Sequence, residues 1–196
     1  MNRVLRWTPA TLAIFAACIA SAQGTNPEIE AFVPGQAAAD VLREASGADL
    51  AWIPAAMLKP LDKPKDLAAL LVYTSDQVSV VQLSGKQVKD ALTRSISLFP
   101  TPSGAFLQIS GLEATFTTST QGDNAIVNLM FGTAKFDDSR SYTVAMPTSL
   151  ARGSLGYFKV WDRAQIVRTI EGQTLESLLK DKPVTASTPR WKKSSG

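Results

Sequence analysis

Residues 77–92 constrain this chain more than any other stretch, because they turn a buried strand into a helix with almost no loop between. Val78, Val80, Val81 and Leu83 give the first half the β-branched, apolar composition of a strand covered on at least one face. Ser84 then meets Gln87 three residues on, the spacing of a capping box. The serine oxygen can accept from the Gln87 backbone N–H while the glutamine side chain reaches back to the Ser84 N–H. Beyond that cap, Val88, Ala91, Leu92 and Ile96 share one helical face.

The remaining elements arrange themselves around this unit. Residues 37–45 read as a helix with Ala38, Val41, Leu42 and Ala45 on one face, ended by Gly47 in the left-handed conformation. Residues 49–53 form a short strand stopped by Pro54, which has no N–H for a ladder, and residues 55–60 leave it as a loop. Residues 62–66 cap a short helix at 64–71. Residues 97–104, with Pro100 and Pro102, form a loop.

From Ala105 onward the period becomes two. Strands are expected at 106–109 and 113–117, bent at Gly111, then at 125–131 after a hairpin turn at 121–124. Further strands follow at 141–146 and 165–170, a glycine-rich loop or helix end at 151–157, and a last helix at 174–179. Helices, then strands, then a helix predict an α+β domain of mixed sheets flanked by helices.

The N-terminus is expected to be a targeting segment rather than part of the fold. Arg3 and Arg6 precede an apolar run at 9–20 that is too short to span a bilayer, and Ala20, Ser21 and Ala22 form an A-x-A cleavage site. Residues 1–22 are therefore a signal peptide, and the mature chain is exported, periplasmic or secreted. Cys18 behind Phe15, Ala16 and Ala17 supplies the alternative of a lipid anchor. No later run is apolar enough for a transmembrane helix, and the only cysteine leaves on simple cleavage. The expected division is a linker at 23–35, one domain at 36–181 and a disordered basic tail at 182–196.

Charge and composition exclude several functions. Of the 20 Lys and Arg, Arg3, Arg6, Lys182, Arg190, Lys192 and Lys193 lie outside 23–181, which leaves 14 against all 17 Asp and Glu, a net of −3. That balance is not a nucleic-acid footprint. The sequence contains no histidine. A Ser-His-Asp triad, a Cys-His dyad, an ordinary zinc site and the usual general base near neutral pH are therefore absent. No glycine-rich phosphate loop is present. Asp137 and Asp138 read as a turn, and Ser177 with Lys180 lacks the companion motifs of a serine–lysine nucleophile. No catalytic residue, metal or cofactor is assigned.

Five pieces in order then resemble the C-terminal domain of the 5′-nucleotidase family. They are Ala48-Asp49-Leu50-Ala51, the turn Val80-Val81-Gln82-Leu83-Ser84-Gly85, the strand Phe106-Leu107-Gln108-Ile109-Ser110-Gly111-Leu112, the strand Ser141-Tyr142-Thr143-Val144-Ala145, and residues 153–157. The resemblance covers about residues 36–157 and implies an α+β fold that holds the nucleoside part of a nucleotide. In that family the hydrolytic chemistry belongs to a separate N-terminal metallophosphatase domain with two metal ions, whose residues are not in this sequence. The resemblance implies the substrate-binding half.

The family's ligand-reading positions fall on altered residues. Its arginine loop falls on residues 54–59, where Lys59 keeps the charge without the planar fork or the two glycines. Its stacking phenylalanine and base-reading asparagine fall on 73–76, where Thr74 cannot stack and Tyr73 could do so only if the segment is a loop. The second stacking ring falls on Ser149, and the aspartate of the G-G-D-G-Y motif falls on Leu155, two residues before Tyr157. Lys59, Tyr73, Asp76 and Tyr157 are the substrate-binding candidates. Each also has a plainer reading: Lys59 as a solvated loop charge, Tyr73 as a core ring, Asp76 as a turn residue, and the cluster at 157–161 as a satellite of the core.

The expected function is an exported domain, non-catalytic alone, that binds a nucleotide- or nucleoside-like small molecule or an envelope partner. One alternative is an accessory subunit of nucleotide hydrolysis beside a separately encoded metallophosphatase. The other is a structural interaction module.

Overall fold

The computed structural model describes residues 25–118, 123–185 and 188–194. The signal peptide expected at 1–22, with Cys18, and residues 121–122 of the hairpin turn expected at 121–124 lie outside the described residues.

Among the described residues, nine strands form two mixed sheets: β1 (Leu50–Pro54), β2 (Gln77–Ser84), β3 (Leu107–Ser110), β4 (Leu112–Thr117), β5 (Ala125–Phe131), β6 (Ala134–Lys135), β7 (Ser141–Pro147), β8 (Ile166–Thr174) and β9 (Trp191–Lys193). A five-stranded sheet runs β3-β1-β7-β2-β8 and a four-stranded sheet runs β6-β5-β4-β9. The helices are α1 (Val33–Ser46), α2 (Gly85–Ser95), α3 (Thr148–Ala151) and α4 (Leu175–Leu179). This is the α+β architecture the sequence predicts.

Strands β1, β2, β3 and β7 of the five-stranded sheet are buried on both faces, the edge strand β8 being partly exposed, and alternation along the strands sorts side chains into two cores. Leu50, Trp52, Val81, Leu83, Val144 and Met146 join α2 and the four-stranded sheet on one side. Ala51, Ile53, Val78, Val80 and Ala145 join α1 and α4 on the other. The central strands are therefore near-continuous apolar runs rather than strictly alternating ones.

The strand-to-helix unit forms as its residues dictate. Gln87 N–H donates to Ser84 Oγ at 3.3 Å and Ser84 N–H donates to Gln87 Oε1 at 3.1 Å, closing both arms of the capping box. Val88, Ala91, Leu92 and Ile96 are fully buried. Helix α1 ends on Gly47 at φ 63°, as expected.

Three features depart from expectation. The segment at 64–71 is only a 3-10 turn, Leu67–Leu70, with Asp66 accepting from the Ala69 N–H at 2.9 Å; one turn is all that this cap nucleates. Strands β3 and β4 belong to different sheets rather than to one bent strand. They part at Gly111, φ 85°, where a Cβ would lie 2.4 Å from the Asp49 carbonyl oxygen.

The termini are the third departure. The expected linker is packed: Gln108, fully buried, accepts from Phe32 N–H at 2.9 Å and donates to the carbonyls of Pro27 and Glu30, each at 2.9 Å. The expected disordered tail instead contributes β9, parallel to β4. The Trp191 indole N–H donates to Leu107 O at 2.7 Å, and its ring centroid lies 5.1 Å from that of Phe106. Arg190 pairs with Asp40 at 2.7 Å. One aromatic anchor and two ion pairs, Arg190 with Asp40 and Lys192 with Glu113, order a segment whose composition is otherwise polar.

Candidate functional site

β1 and β7 run parallel and end at the same edge of the five-stranded sheet, where the antiparallel β2 begins, with Val78 opposite Pro147. A topological meeting point of this kind leaves a crevice beyond the strand ends. Here it is a cleft of about 560 Å³, lined by Pro54, Ala56, Met57, Tyr73, Ser75, Asp76, Ser149, Ser154 and Leu155.

Four segments build it. Pro54 closes β1 and hands over to the 3-10 turn Ala55–Met57. Residues 72–76 form a loop between the turn at Leu67–Leu70 and β2, so the condition for Tyr73 to reach the site is met; its ring is 61% exposed. The short helix α3 supplies Ser149. The last wall is a turn in which Gly153 (φ 90°), Leu155 (φ 56°) and Gly156 (φ 84°) are left-handed. Leu155 has a side chain in that region, which costs of order 1–2 kcal/mol. Arg94 holds the turn from behind, Nη2 donating to Leu155 O at 2.8 Å and Nη1 to Ser97 Oγ at 3.3 Å. A Cβ on Gly156 would lie 2.7 Å from that Nη2.

Of the four candidates, two are at the cleft and two are not. Asp76 lines it, and its carboxylate accepts from Gln77 N–H at 2.8 Å and from Ser149 N–H in the first turn of α3 at 3.2 Å. It therefore acts as a turn residue and as a lid on the helix terminus. Tyr73 lines the cleft beside it. Lys59 does not: its backbone N–H donates to Leu70 O at 2.7 Å, its side chain is exposed, and its neighbours Leu58 and Pro60 line a different depression beside residues 25–28.

Tyr157 is a correction to the expectation of a substrate contact. It is fully buried, stacked on Trp161 with centroids 4.9 Å apart, and its hydroxyl donates to Ala105 O at 2.7 Å. Burial pushes its phenol far above the ordinary tyrosine range. Tyr157 therefore fixes the wall from the core side. Sequence reasoning did not single out Met57, Ser75 or Ser154; small and apolar loop residues carry no signal of their own.

The two other motifs of the sequence are structural. Asp137 accepts from the Ser139 N–H and Oγ, a turn that holds its carboxyl below the usual range. Ser177 closes the capping box of α4, its Oγ accepting from the Thr174 N–H at 2.9 Å. Among the described residues, no three His, Cys, Asp or Glu side chains gather as a metal site, and no helix is long and apolar enough to cross a membrane.

The family description "5′-nucleotidase, C-terminal domain" matches residues 14–163. Curated proteins gave no match. Among solved structures, the chain is similar to the 5′-nucleotidase precursor of Thermus thermophilus, at 20% identity and TM-score 0.69, covering 85% of this chain and 36% of that one. It is similar to the NAD nucleotidase NadN of Haemophilus influenzae at 14% identity and TM-score 0.63, covering 88% and 36%. It is also similar to the sulfate thiohydrolase SoxB of Thermus thermophilus, in complex with glycerol, at 15% identity and TM-score 0.56, covering 82% and 32%. The chain thus spans about a third of the length of these structures, and identities this low speak for the fold alone. Together with the family match over most of the sequence, they establish that the chain belongs to the 5′-nucleotidase C-terminal domain family.

Proposed function

We propose that this chain is an exported ligand-binding domain that performs no phosphoester hydrolysis alone and holds a nucleotide- or nucleoside-like small molecule in the cleft beyond β1 and β7. One observation carries the reading: the segments that the family resemblance marks at 54–59, 73–76, 149 and 153–157 each contribute to the same cleft. The histidine-free sequence supports the absence of two-metal chemistry, and Arg3, Arg6 and the Ala20-Ser21-Ala22 site support export.

Thermal unfolding against nucleosides, nucleotides and nucleotide sugars tests the reading. A ligand at 100 times its Kd adds about 2.7 kcal/mol of stability. A flat response across the panel removes it. Phosphate release from AMP with added manganese or zinc should be absent, and metal-dependent turnover by the purified chain would refute the non-catalytic part.

A second reading is service to a separate metallophosphatase domain. The apolar side chains beside the cleft favour it, since Tyr73 and Phe158 are 61% and 67% exposed and a partner surface would cover them. Mixing the two proteins should then raise turnover of the metallophosphatase; an unchanged rate counts against it.

A further inference from the structure

The charge pattern of the cleft narrows the ligand class. Its lining offers one exposed aromatic ring (Tyr73), three hydroxyls (Ser75, Ser149, Ser154), an apolar wall (Pro54, Ala56, Met57, Leu155) and one carboxylate, Asp76; no Lys or Arg lines it. Asp76 also takes the backbone donors that an incoming anion would need. Gln77 N–H and Ser149 N–H, the latter at the start of α3, both point at its oxygens. The neighbouring cations Lys59, Arg94 and Arg152 are not among the residues lining the cleft. Arg94 lies behind the 153–157 wall, donating to Leu155 O and Ser97 Oγ, and Lys59 stands outside the cleft.

We propose that the cleft takes an uncharged, flat-ring ligand bearing hydroxyls, a nucleoside rather than a nucleotide, and that Asp76 rejects the phosphorylated form. This rests on the cleft being the small-ligand site. The ring stacks on Tyr73 and its hydroxyls meet the serines. A phosphate dianion entering the same space loses hydration, meets a fixed carboxylate and finds no cation. The family fold is thereby set to hold a dephosphorylated compound.

The test uses the full chain and two probes, adenosine and AMP, by calorimetry. Adenosine should bind roughly tenfold or more tightly than AMP, the discrimination expected of an unscreened like charge within a few ångströms. The gap should narrow between about 0.05 M and about 0.5 M salt, as screening shortens the reach of the carboxylate. Placing a cation on the exposed first turn of α3, Ser149→Lys, should raise AMP affinity at least severalfold while changing adenosine little. Tyr73→Ala should abolish both. Equal or tighter AMP binding by the wild-type chain overturns the inference and leaves the cleft reading standing. Binding that survives Tyr73→Ala, or binding of neither probe, removes the cleft reading and the inference with it. If Ser149→Lys fails to fold, the salt dependence of the wild-type pair decides alone.

Discussion

Val80 and Val81 stand seven and eight residues from Tyr73, yet the two places obey different constraints. On β2 each side chain has a fixed neighbour: Val80 faces one core, Val81 the other, and the cross-strand partners Ala145 and Val144 allow neither to slip. The polar residues of this scaffold are equally committed. Asp49, for instance, accepts from the Thr143 N–H and hydroxyl at 2.9 Å each and ties the start of β1 to β7. In the loop before β2, Tyr73 projects into water and Ser75 is exposed. Packing specifies the first region and leaves the second free, so the scaffold is bound to the family pattern while the cleft can vary. A substitution in the scaffold must cost stability; one in the cleft must cost binding alone.

The tail is the severest trial of that division, because it lies far from the central unit in sequence and still counts as scaffold. Trp191→Ala should destabilise the domain by about 3–5 kcal/mol in chemical denaturation, the range for a buried large aromatic ring. It removes the packing on Phe106 and Phe116 together with the hydrogen bond to Leu107 O. A loss under about 1 kcal/mol would place β9 among surface embellishments.

Tyr157 tests whether the wall of the cleft belongs to the scaffold. An unfolded tyrosine ionises near pH 10, whereas burial holds the folded phenol neutral well beyond that. Its contribution is therefore complete below pH 10 and is lost as the pH rises above it. Relative to Tyr157→Phe, the wild-type chain should lose about 1.4 kcal/mol per pH unit on that alkaline limb. Parallel pH profiles for the two proteins would show that Tyr157 is not held buried and neutral.

The same division explains what the sequence made legible. The capping box at Ser84 and the αL stop at Gly47 rest on interactions within a few residues, and strands β2, β5 and β7 declare themselves by their apolar, β-branched composition, so spacing and composition reveal them. The order of Trp191 and the inward turn of Tyr157 depend on partners 84 and 52 residues away, and no local pattern announces them. The separation of β3 from β4 into two sheets is of this kind too: Gly111 marks the bend, but only the approach of the Asp49 carbonyl makes it a crossing point. Of the site, Tyr73 and Asp76 were reached through the family resemblance, and Lys59 was not separable from Met57 without knowing which way the segment after Pro54 runs.

The capping box sets a smaller scale. Ser84→Ala should cost about 1 kcal/mol, since it removes one acceptor from an exposed helix terminus. Gln87 softens the loss, because its amide also donates to Val160 O at 2.9 Å and to Gln165 Oε1 at 3.0 Å. Ser84→Asp restores an acceptor and should recover most of the stability. If both variants unfold alike, the close seating of Gly85 under residues 137–138, rather than the cap, holds this helix end.

The smallest effect on stability is expected where the effect on function is greatest. Tyr73→Ala removes a ring that is 61% exposed and has no core neighbour to leave behind, so unfolding should shift by no more than about 0.5 kcal/mol. Each base stacked on an aromatic ring gains about 1–3 kcal/mol, and the cleft has this ring alone to offer. Its loss should therefore erase any nucleoside-induced rise in melting temperature while leaving the unliganded melting curve in place. A variant that melts early would assign Tyr73 to the scaffold, and the contrast between the two regions would then have to be drawn inside the loop, between Tyr73 and Ser75.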